Sequence, residues 1–136
     1  MSDKYISQSD LKGLAKDLLD AGTQVIAPVR AAELLTGPPA EARIEYRSIR
    51  SAEDLALGQG MPRNSLKEFF LPPTEPLLRW HYHKNDVELA EVETTFPPRL
   101  ILGARPCDMA AVEVVDKVMN WDYHDELWFG RREATR

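Results

Sequence analysis

The chain has 136 residues, 43% hydrophobic and 29% charged, the composition of one globular domain spanning 1–136. A formal charge of −5 argues against a sequence-independent nucleic-acid binder, whose affinity comes from clustered Lys and Arg on phosphates. One cysteine excludes an internal disulfide, and no apolar run approaches the roughly 18 residues of a membrane span or resembles a secretory leader, so a reducing cytoplasm is expected.

Ser7 and Asp10 form a start signal close to the capping box, ahead of Leu11, Leu14, Ala15, Leu18 and Leu19 at helical spacing. The pattern predicts an amphipathic helix ending near Gly22. Thr23 to Val29 reads as a β-branched strand closed by Pro28, with Ala31 to Leu35 helix-neutral after it. Gly37-Pro38-Pro39 marks a break. Ile44, Tyr46 and Ser48 then alternate with Glu45 and Arg47, as in a strand with one solvated face, and Ser51-Ala52-Glu53-Asp54 starts a short helix or turn.

Residues 58–65 read as a loop. Leu66, Phe69, Phe70 and Leu71 form one apolar block and Pro76 to Trp80 a second, on either side of Pro72-Pro73, and both are expected in the core. Val87, Leu89 and Val92 suggest a strand among acids. Leu100-Ile101-Leu102, within a strand Arg99 to Gly103, lacks polar alternation and predicts the buried central strand. A helix over Met109 to Met119 follows, with Met109, Val112, Val115 and Met119 on one face. Strand, turn and helix in this order predict an α/β (or α+β) domain, a mixed β-sheet with packed helices.

The turn between that strand and helix, Gly103-Ala104-Arg105-Pro106-Cys107-Asp108, holds the lone thiol. Pro106 stiffens the turn, and Asp108 is expected to cap the amides of the helix. Cys107 then meets the positive helix end, which with Arg105 favours the thiolate that binds metals or attacks electrophiles. The plainer alternative is a buried, inert cysteine. After Asn120, the aromatics Trp121, Tyr123, Trp128 and Phe129 crowd together ahead of Arg131-Arg132. Either they pack back on the domain, or Trp128, Arg131 and Arg132 meet a partner or an anion.

Phe69 to Leu78 (Phe-Phe-Leu-Pro-Pro-Thr-Glu-Pro-Leu-Leu), Leu100 to Asp108, Asp122-Tyr123 and Arg131-Arg132-Glu133-Ala134-Thr135 together carry a resemblance. In order and spacing the chain resembles the amino-terminal part of the iron-sulfur β subunits of cytoplasmic sulfhydrogenases and the related A subunit of anaerobic sulfite reductase. The first sixty residues match only in general layout. That family commonly has Pro where Leu66 stands here, and its members continue into a cysteine-rich region that holds two 4Fe-4S clusters.

The resemblance implies the cluster-free, amino-terminal scaffold or docking domain of a 4Fe-4S electron-transfer subunit in a hydrogenase or sulfur/sulfite reductase complex of anaerobic metabolism. Its implied partners are a flavin/NAD(P)H-linked redox subunit and a reductase or hydrogenase subunit, with no nucleic acid and no membrane. A four-iron cluster takes four thiolates, so no cofactor is expected within this chain and the clusters are expected in a carboxy-terminal region beyond it. Cys107, with Arg105 and Asp108 beside it, is then the candidate cofactor contact and metal ligand, and the domain alone is expected to be catalytically silent.

Two other readings follow from the residues. One is a stand-alone thiol enzyme or anion-binding module, with Cys107 as nucleophile, Arg105 as anion clamp and His81, His83 or His124 as base. The other is a metal held by His81 and His83, which share a strand face but lack evident companions, so a half-solvated strand face is the simpler account.

Overall fold

Ser7 begins the fold as the sequence predicts, its hydroxyl accepting from the Asp10 amide at 3.1 Å to open helix α1 (Gln8–Asp20). The computed structural model describes residues 5–31, 43–84, 86–92 and 94–136. Gly22 takes a left-handed φ of +80° and turns the chain into β1 (Gln24–Ala31). Strand β2 (Arg43–Ser48) pairs antiparallel with β1, and β5 (Arg99–Ile101) pairs parallel on its other side, giving the order β2-β1-β5. The sheet is mixed, and with its helices it makes a small α+β fold.

The buried central strand is β1, not the Leu100–Leu102 segment. Nearly all of β1 is buried, whereas all three residues of β5 are half-buried. Among the described residues, only the short pairing of Thr135 and Arg136 follows beyond β5, in which Ile101 donates to the Arg136 carbonyl at 2.8 Å and Arg136 donates to the Arg99 carbonyl at 2.9 Å. An unbroken apolar run therefore does not by itself identify the centre of a sheet.

Pro28 does not close β1 but lies within it, opposite Tyr46. Tyr46 turns its amide and carbonyl outward to the Asn64 side chain (2.7 and 2.9 Å), so this cross-strand pair exchanges no backbone hydrogen bonds. The missing Pro28 donor faces the β5 side, past the end of β5, where the Pro28 carbonyl accepts from Ala56 at 2.8 Å. Proline thus costs the ladder nothing there. The readings at Ala32 to Leu35 and at Gly37-Pro38-Pro39 lie outside the described residues.

Period-two alternation sorts the sheet into two apolar faces. Val25, Ala27 and Val29 pack with Ile49 against Leu18 and Leu19 of α1. Ile26 and Tyr46 pack on the other side against Leu66, which lies in a 3-10 turn over Leu66–Phe69. A third cluster, Phe70, Val112 and Trp128, docks α2 (Pro106–Val118) and α3 (Glu126–Glu133) through Ile101 and Val115. The first apolar block is core at Leu66, Phe69 and Phe70, but its last residue, Leu71, is exposed. The second is not core: Leu77, Leu78 and Trp80 are exposed, and Leu78 opens the hairpin of β3 (Leu78–His83) and β4 (Asp86–Glu91), whose residues are all solvent-exposed.

No helix among the described residues is long and apolar enough to cross a membrane.

Candidate functional site

The turn that carries Cys107 is anchored at both ends by the sheet. Gly103 follows β5 with φ +76°, and a Cβ there would lie 2.4 Å from Leu57 Cδ2 and 3.3 Å from Pro28 Cδ. The dihedral favours glycine, while the Leu57 methyl could swing aside from a larger residue. Arg105 is the N-cap residue in extended conformation, and its carbonyl accepts from the amides of Asp108 (3.0 Å) and Met109 (3.1 Å). Pro106 occupies the first helical turn, where its missing donor costs no intrahelical bond. The helix thus starts at Pro106, three residues before the expected Met109, and Cys107 and Asp108 lie inside its first turn.

That earlier start changes the role of Asp108. No side chain caps this helix. The Asp108 carboxylate, 7% exposed, instead accepts from Arg105 Nε at 2.8 Å and Nη2 at 3.3 Å. The Tyr46 hydroxyl lies 3.2 Å from the Gly103 carbonyl and 3.4 Å from Asp108 Oδ2, so its single proton serves these two acceptors. Strand β2, the glycine turn and helix α2 are therefore locked by one buried phenol and one ion pair.

Burial, and then the Asp108 charge, push the Tyr46 phenol above its ordinary value of 10.0, with Arg105 opposing. The hydrogen bond to Asp108 pushes the Arg105 guanidinium up. A raised folded-state value means that Tyr46 contributes its full stability below pH 10 and loses it as the pH climbs through the folded value. Tyr46→Phe is expected to remove the highest-pH step of the phenolate absorbance titration and to flatten the alkaline fall in stability. A titration unchanged by Tyr46→Phe contradicts this.

While Asp108 points inward, Cys107 points out: its residue is exposed. The inert buried cysteine is excluded. Cys107 heads an outward face of α2 that continues through Ala111, Val114 and Val118 at helical spacing, and Val114 and Val118 are exposed. Trp121, 81% exposed, and Tyr123 extend this apolar surface past the helix end, where they help line a groove of about 400 Å³ with Met119, Asp122 and Asp125.

The aromatic tail divides. Trp128 packs back at 1% exposure against Phe70, and its Nε1 donates to Asp116 Oδ1 at 2.8 Å. Arg132 Nε donates to the other Asp116 oxygen at 3.2 Å. Arg131 pairs with Glu75, donates to the Phe70 and Leu127 carbonyls, and lies 5.6 Å over the Phe96 ring. In this structure these three side chains pin α3 to the domain, while Trp121 and Tyr123 remain uncovered.

For the thiol-enzyme reading, a base must reach the sulfur. His124 stacks on Phe129 at 4.2 Å and pairs with Asn120, beyond the far end of α2, and that 13-residue helix is about 20 Å long. His81 and His83 lie on the hairpin, cross-strand from Glu88 and Asp86. Among the described residues no group of three or more His, Cys, Asp and Glu is placed to hold a metal ion. Among the described residues Cys107 therefore offers a single exposed sulfur with no second metal-ligating side chain grouped around it.

Sequence reasoning found Arg105, Cys107 and Asp108 but not Tyr46, which reaches them across 62 residues. Its one signal was its position on the apolar side of an alternating strand. No family model, no curated protein and no solved structure matches the chain.

Proposed function

We propose that this domain is a cytoplasmic docking scaffold of a 4Fe-4S electron-transfer subunit, with the α2 face as its junction to the cluster-bearing part. The observation that carries this reading is the exposed Cys107 thiol at the head of an uncovered apolar helix face. An inert cysteine of a closed domain belongs in the core; a thiol on the helix face that carries the exposed Val114 and Val118 suits a surface that another module covers. The resemblance in the Arg105-Pro106-Cys107-Asp108 turn and the Arg131-Arg132 pair supplies the redox context.

In this reading Arg105, Asp108 and Tyr46 are positioning residues. They hold the first turn of α2 rigid, so that Cys107 meets the cluster as a ligand or as a hydrogen-bonding neighbour that tunes its potential. The complex then passes electrons between a flavin/NAD(P)H-linked partner and a hydrogenase or a sulfur or sulfite reductase site.

The test is Cys107→Ser in the cluster-bearing complex. The expected result is lost iron, or a shift of cluster potential of about 60 mV or more, a tenfold change for one electron. Unchanged iron content and potential would remove Cys107 from the cluster's surroundings.

A further inference from the structure

The β3–β4 hairpin carries apolar surface that no other element among the described residues covers. Its register places Trp80 opposite Leu89 and Tyr82 opposite Val87, with Leu78 opposite Glu91. Cross-strand partners share a face, so these side chains form one apolar surface, and Arg79, His81, His83, Asp86 and Glu88 occupy the reverse. Trp80 is 67% exposed, Tyr82 64% and Leu89 65%.

A two-stranded hairpin with no layer on its apolar face is marginal in water. Aromatic side chains bring about 150–250 Å² each, so this face offers on the order of 600 Å², the top of the range seen on monomers. Two such faces together bury about 1,200 Å², the lower bound of a specific, stable interface.

We propose that this face joins two copies of the chain in a two-fold dimer, hairpin packed on hairpin. The distribution of side chains sets the arrangement: aromatics lie on β3 and aliphatics on β4. A two-fold axis between the sheets and parallel to the strands lays β3 of each copy over β4 of the other. Trp80 then packs on the partner's Leu89 and Tyr82 on the partner's Val87, each contact made twice, as an isologous interface requires. An axis across the strands would instead stack aromatic strand on aromatic strand and leave the smaller aliphatic side chains apart. This dimer is independent of the electron-transfer reading, which concerns the α2 face.

Sedimentation equilibrium on the whole chain tests it. A dimer with a dissociation constant of about 10 µM is expected from an interface of this size. Trp80→Lys and Leu89→Glu, both at exposed positions, are each expected to weaken it at least about 30-fold, as for a central interface residue. Mixing the two variants is expected to restore a heterodimer, because the introduced cation and anion then face one another while the second Trp80–Leu89 contact stays intact.

A chain that remains monomeric at ten times that concentration overturns the proposal and assigns the face to a different partner. A dimer indifferent to Trp80→Lys overturns it in favour of another surface. Failure of the mixture to recover overturns the two-fold register.

Discussion

Trp128→Ala is expected to remove about 3–5 kcal/mol of stability, the largest loss from any single side chain in the fold. Trp128 is the largest of the fully buried side chains and joins three elements: its ring meets Phe70 at a centroid distance of 5.4 Å and contacts Val112 of α2, and its own helix is α3. Truncation opens a cavity that neither the sheet nor α2 can close. It also removes the Nε1 bond to Asp116, although that carboxylate keeps Arg132. Since domains of this kind are stable by about 5–15 kcal/mol, the loss is a large fraction of the whole. Thermal denaturation should show the midpoint falling by about 10–20 °C. Trp128→Phe separates packing from the hydrogen bond: it keeps most of the contact and is expected to cost about 1–2 kcal/mol. A loss below about 1 kcal/mol for the alanine variant would mean that α3 is held by other contacts, chiefly those of Arg131.

The legible parts of the fold were those set by local signals. Ser7 with Asp10 marked the start of α1, the alternation of Ile44 and Tyr46 marked β2, and the spacing of Val112 and Val115 marked the inner face of α2. Each depends on neighbours in the chain. The misread parts depend on what lies across space. Pro28 looks like the end of a strand until the neighbouring β5 stops short and leaves no partner for the absent donor. Leu100-Ile101-Leu102 has the pattern of a central strand, but β1 takes the centre because a strand flanks it on each edge, whereas the outer edge of β5 meets only the Thr135–Arg136 bridge. Trp80 has the hydrophobicity of a core residue, and only the hairpin's register and exposure show that its face meets no layer among the described residues.

The site divides in the same way. Arg105, Cys107 and Asp108 are adjacent in sequence, and a proline beside a lone thiol was signal enough to single them out. Their orientation was not. Whether Asp108 caps amides or turns inward depends on Tyr46, a side chain from another element whose hydroxyl reaches both Asp108 and the Gly103 carbonyl at a buried position. A carboxylate so placed gains more from a phenol and a guanidinium than from exposed helix amides. The same inward turn of Asp108 leaves Cys107 outward, so the buried pair and the exposed thiol are one consequence of the strand β2 packing.

Asp108→Ala is expected to cost about 2 kcal/mol, because it empties the buried carboxylate site that accepts from Arg105 and the Tyr46 hydroxyl, although Tyr46 keeps the Gly103 carbonyl. Part of that loss falls on the first turn of α2, where an acidic residue also suits the helix dipole. The companion variant, Asp108→Asn, keeps the shape and an acceptor oxygen and is expected to cost about half as much. Both remove a negative charge next to Cys107 in sequence and release Arg105 from its ion pair, so the field around the sulfur becomes more positive. Alkylation of Cys107 by iodoacetamide at neutral pH should therefore be about 3- to 10-fold faster in Asp108→Asn than in the parent, with the fold intact by circular dichroism. Acceleration in the alanine variant alone would assign the effect to fraying of the helix end. No acceleration in either would show that the Arg105–Asp108 pair holds the turn but does not set the charge that the thiol meets.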